Sequence, residues 1–117
     1  MNIEDIEVYQ TAMSIAENIR NVVKTWENFN KFSIGTQTVR ASDSIAVNIS
    51  EGFGRYHYKE NKLFCYYARG SLYETKTWLK KANNRNLIDK SDNKILEEDL
   101  EKLAKKLNAY INSIGKK

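Results

Sequence analysis

The chain has 117 residues, a net charge of +4, 41% hydrophobic and 29% charged residues, which is the composition of an ordinary water-exposed globular chain. No apolar run approaches the roughly 20 residues of a bilayer span, and Met1-Asn2-Ile3-Glu4-Asp5 lacks the basic start of a signal peptide. With Cys65 the sole cysteine, no internal disulfide can form; the expectation is one domain, residues 1–117, in a reducing cytoplasm.

Proline is absent and every long segment repeats with a helical period. At about 100° per residue, a first helix from Asp5 to Trp26 gathers Val8, Tyr9, Ala12, Ala16, Ile19, Val23 and Trp26 on one face. A second, from Ile34 to Gly52, carries the row Ala41, Ile45, Ile49, with Ser33 as its expected N-cap. Gly52 and Gly54 are expected to end it in positive-φ conformations. The third helix, Lys59 to Asn83, aligns Phe64, Cys65, Ala68, Leu72, Thr75 and Leu79. Gly70-Ser71 in its middle lowers helix propensity by roughly 1 kcal/mol, and close approach of another helix is the expected reason. A turn follows at Asn83-Asn84-Arg85-Asn86. The fourth helix, Asp92 to Ile114, forms one seam of Leu96, Leu100, Leu103, Leu107, Tyr110 or Ile111, and Ile114. Glu98–Lys102 and Glu101–Lys105 are spaced to pair on its wet side. The expected fold is all-α, an antiparallel up-down-up-down four-helix bundle.

Few residues offer catalytic chemistry. His57 and Cys65 are the only histidine and cysteine, and Cys65 falls on an apolar stripe, as a buried structural thiol does. A zinc site needs about four such ligands. A carboxylate-only magnesium site stays open from spacing, although the acids of the last helix alternate with lysines as a solvated face does. Glu51-Gly52-Phe53-Gly54-Arg55 is a weak match to a phosphate loop, because it follows a helix and no Lys-Ser/Thr comes after it. The expectation is a protein without enzymatic activity, cofactor or metal.

Two surface stripes stand out. Gln37, Arg40, Ser44, Asn48 and Glu51 lie within an arc of about 80° on the second helix. Arg40 and Glu51 are on the order of 16 Å apart along the axis, too far to pair, so they read as a polar seam at a helix or subunit contact. On the third helix, Lys62, Tyr66, Arg69, Tyr73, Lys76 and Lys80 share a face. Cations there can track a phosphate backbone while tyrosines stack on bases. The charge distribution agrees: net −3 over residues 1–30, +1 over 31–58, +5 over 59–88 and +1 over 89–117. A second apolar stripe, Leu63, Tyr67 and Trp78, is surplus to a monomer and suggests an oligomer contact.

The segment Ser44-Ile45, Asn48-Ile49, Glu51-Gly52, followed by Ala68, Gly70-Ser71-Leu72 and Glu74, resembles the four-helix-bundle proteins encoded in intervening sequences of bacterial 23S rRNA genes. The resemblance extends more loosely from Ile6-Glu7-Val8-Tyr9-Gln10 to the last leucine-rich helix, and the accessory proteins of diversity-generating retroelements are relatives. It implies a homo-oligomeric ring, most often a pentamer, with basic surfaces that bind RNA or single-stranded DNA. The rival expectation is a protein-interaction scaffold whose partner is a reverse transcriptase or a ribosomal component. Relatives often carry a proline where this chain has Ala46-Val47, so its second helix should be straighter.

Overall fold

A computed structural model describes residues 1–116. Four long helices carry the architecture: α1 (Glu7–Val23), α2 (Thr36–Phe53), α3 (Tyr58–Asn84) and α4 (Lys90–Ser113). They pack side by side into a body of 47 × 23 × 20 Å, with α1 on α2, α2 on α3, α3 on α4 and α4 back on α1. There is no strand among the described residues.

The 3.6-residue period of apolar side chains places one face of each helix inward. One continuous core results: Val8, Ala12, Ile15 and Ile19 from α1, Ile45 and Ile49 from α2, Cys65, Ala68, Leu72 and Leu79 from α3, and Leu96, Leu100, Leu103, Leu107 and Ile111 from α4. Ile111 takes the seam position and Tyr110 is only partly buried. Three buried hydroxyls interrupt the apolar surface. Thr38 donates to the Ile34 carbonyl at 2.7 Å, Ser42 to Val39 at 3.0 Å and Thr75 to Ser71 at 2.8 Å, so none is left without a partner.

The helix ends differ from expectation in ways that shape the surface. A separate 3-10 turn, Ile3–Asp5, precedes α1, and Trp26 is buried beyond its end in the turn that follows. Ser33 is not an N-cap. The helical path begins at Asn28 with one α-turn, Asn28–Asn30, widens into a π turn at Lys31–Gly35, and continues without a break into α2. Ser33 lies inside that path and donates to the Phe29 carbonyl at 2.6 Å. Beside the turn, Gly35 comes so close to α1 that a Cβ would stand 2.8 Å from Val23 Cγ1.

Gly52 and Gly54 do not adopt positive φ; Gly54 has φ −76° and Gly52 lies within α2. What glycine provides at position 52 is space. A Cβ there would stand 2.8 Å from the Asn61 carbonyl oxygen and 3.1 Å from Phe64 Cβ, both on α3. Among the described residues only Asn86, in the α3–α4 turn, and Gly115 have positive φ. Gly70 reverses its expected role: a Cβ there meets nothing within 4 Å, so no helix of this chain crosses close to it.

Candidate nucleic-acid interface

The basic and aromatic residues expected on one face of α3 do share that face. Tyr66 and Tyr73 are 45% and 56% exposed. Each is overlaid by a cation: the Arg69 guanidinium lies 5.0 Å from the Tyr66 ring centre, and the Lys76 ammonium 5.3 Å from that of Tyr73. Lys80 is exposed and Lys62 half-buried.

The α4 side of this face carries carboxylates. Lys76 forms an ion pair with Glu101, and Arg69 donates to Asn108 Oδ1 at 3.1 Å. Bonding to Lys76 holds the Glu101 carboxyl below the usual carboxylate range. Between α3 and α4 runs a groove of about 730 Å³, lined by Lys76 and Lys80 from α3 and by Glu97, Glu98, Glu101, Lys102 and Lys105 from α4. The pairs expected along α4, Glu98–Lys102 and Glu101–Lys105, are not among the ion pairs of the described residues; Glu101 reaches across to α3 instead. A phosphate backbone laid along α3 therefore meets a face on which the central lysine is already neutralised.

The α2 stripe is on the outside. Gln37, Arg40 and Glu51 are exposed, and Ser44 and Asn48 half-buried, so the five do not make a seam inside one chain. Ser44 donates to the Arg40 carbonyl at 2.9 Å, and Asn48 to that of Ser44 at 2.8 Å, which satisfies both locally. Glu51 finds a partner the spacing argument missed, Arg55 just beyond the helix end, at 2.8 Å. Arg55 also reaches Glu60 at 3.7 Å and lies 4.6 Å from the Phe64 ring centre, so it braces the α2–α3 corner. Of the expected oligomer contacts, Leu63 and Tyr67 are exposed. Trp78 departs from that stripe: it packs partly on the core and donates from Nε1 to Glu74 at 3.1 Å.

His57 is exposed and packs edge-on against Tyr56, whereas Cys65 is fully buried and burial pushes its thiol up to about 11. A thiol in that state is a poor nucleophile. Among the described residues there is no group of three or more His, Cys, Asp or Glu able to hold a metal ion, and no helix is long and apolar enough to cross a membrane.

Four long amphipathic helices around one apolar core define an all-α four-helix-bundle protein. The chain belongs to the 23S rRNA-intervening sequence protein family, whose pattern it matches over residues 4–109. Its fold is that of a crystal structure from Bacteroides thetaiotaomicron, a protein of unknown function from the S23 ribosomal protein family. That likeness has a TM-score of 0.83 at 24% identity, over 90% of this chain and 95% of the other. No curated protein matches the chain.

Proposed function

We propose that this protein is a non-enzymatic ring-forming oligomer, most simply a pentamer of antiparallel up-down-up-down bundles, that binds RNA or single-stranded DNA without sequence preference. One observation carries the reading: two exposed tyrosines on α3, each with a cation over its ring, and Lys62 and Lys80 on the same stripe. Rings stack on bases of any identity, and the cations neutralise phosphate charge. A ring repeats the surface, so weak sites add through effective concentration. Ring assembly is supported by exposed Leu63 and Tyr67, which a lone bundle leaves uncovered.

Light scattering should return about five times the 13.6 kDa chain mass, and a monomer would end the avidity argument. Mobility-shift titrations with single-stranded RNA across a salt series test the site. Neutralising Arg69 and Lys76 together should weaken binding of all sequences alike and flatten the salt dependence. Replacing Tyr66 and Tyr73 should act mainly on single strands. Equal curves for wild type and the charge variant would remove the stripe from the site. A protein-interaction scaffold is the second reading, favoured by the carboxylate that already occupies Lys76 and the others that line the same groove; no RNA binding at low salt would leave it as the better one.

A further inference from the structure

The groove between α1 and α2 has a different character from the α3 face. It encloses about 580 Å³ and is floored by Val23, Val39 and Val47, with Phe32 at one end. Val47 is 64% and Phe32 71% exposed, so apolar surface is left open to water. Around this floor stand Arg20, Lys24, Lys31 and Arg40, against a single acidic lining residue, Asp43. Among the described residues none of those four cations belongs to an ion pair, in contrast to Lys76 on α3.

The π turn contributes directly. It carries Lys31 and Phe32, and turns of this kind often sit at functional positions because the extra residue costs regular hydrogen bonding. From Phe32 to Val47 the helix advances on the order of 22 Å, the length of about four helical turns.

We propose that this groove docks an amphipathic helix of a partner protein, one with an apolar stripe flanked by acidic residues. The aliphatic floor supplies hydrophobic contact for the stripe, and the unpaired cations meet the flanking carboxylates. The same cations would attract nucleic acid, but the floor argues against it. Only Phe32, with the Lys31 ammonium 5.8 Å from its ring centre, offers a flat ring for a base; the three valines do not, and the Asp43 carboxylate at the groove repels a strand that carries a charge at every nucleotide. A helix can place a neutral residue there. The proposal does not depend on nucleic-acid binding by α3.

A fluorescein-labelled synthetic peptide of about 16 residues, with leucines at helical spacing and glutamates between them, is the probe. Titrated with the intact protein and followed by anisotropy, it should bind saturably. Scrambling the leucine positions, or replacing glutamate by lysine, should each weaken binding at least about tenfold. In the protein, Phe32→Ser, and separately Arg20→Gln with Arg40→Gln, should do the same; all three positions are exposed, so the fold is expected to survive. Equal binding of the scrambled peptide, or no effect of the variants, would overturn the proposal. So would a fall in oligomer mass for Phe32→Ser, which would make the groove a contact between copies. Tighter binding of an oligothymidine than of the peptide, lost in the arginine variant, would make it a nucleic-acid surface.

Discussion

Two glycines on neighbouring helices should respond to the same substitution with opposite signs. Gly52→Ala puts a methyl 2.8 Å from a backbone carbonyl of α3, which cannot rotate away as a side chain can. Restoring ordinary contact at 3.4 Å requires α2 and α3 to part by roughly 0.6 Å at a point where the core is close-packed. Overpacking of this kind costs about 1–3 kcal/mol, and the helix-propensity gain of alanine offsets roughly 1 kcal/mol of it. The expected net loss is about 1 kcal/mol, within a range of about 0–2. Gly70→Ala meets nothing within 4 Å and gains propensity alone, so it should stabilise by roughly 1 kcal/mol. Urea unfolding at fixed protein concentration, followed by circular dichroism with oligomer mass checked in parallel, reads both. A Gly52→Ala that stabilises as much as Gly70→Ala would refute the close-approach argument. A destabilising Gly70→Ala with unchanged oligomer mass would refute the claim that its surroundings are open.

Three further outcomes follow from the titrating groups. Cys65, buried and with its thiol pushed up to about 11, should not react with a disulfide reagent at pH 8 in the native protein, and should report one thiol per chain in denaturant. Burial, with Glu17 adding to it and Arg20 opposing, raises the Asp43 carboxyl, so its ionised form is disfavoured in the folded chain. Asp43→Asn should therefore raise stability at pH 7, and the difference should shrink as pH falls below the folded value and vanish below the ordinary carboxylate range, where the residue is neutral in both states. Lys76→Gln should return the Glu101 carboxyl upward in a carbon-13 titration. Because its folded value is depressed, the small stability the pair contributes is present at neutral pH and lost as pH falls through that value, which urea midpoints across the acid range would follow.

Periodicity made the bundle legible because each helix buries one face, and rows such as Leu96, Leu100, Leu103 and Leu107 admit only one phase. Termini were harder. Ser33 is a good N-cap by residue type, but the helical path extends upstream of it through a π turn, and nothing in the spacing of Phe29 and Phe32 distinguishes a π turn from a loop. The glycine signals were read for the wrong property: Gly52 serves a close contact, which depends on what α3 presents opposite it, and no local pattern contains that information. For the α3 stripe, shared orientation was visible while its electrostatic state was not. Lys76 is neutralised by a glutamate from a different helix. The α1–α2 groove escaped for the same reason, since its cations come from two segments that are unremarkable when taken singly.

The π turn at Lys31–Gly35 also makes one place in the chain permissive of a change in length. It holds one residue more than an α-turn, so removing a residue there closes the hydrogen-bond ladder to ordinary pitch instead of breaking it. The buried residues Thr38, Ala41, Ile45 and Ile49 lie wholly downstream and keep their phase with one another. Phe29, upstream of the turn, would swing by about 100° around the axis. Because Ile34 and Gly35 are buried within the turn, only a one-residue deletion upstream of them, at Lys31, would keep these two and the downstream core in frame while re-aiming Phe29. The segment is thus a point where the molecule can vary its outward face while its packed interior stays fixed.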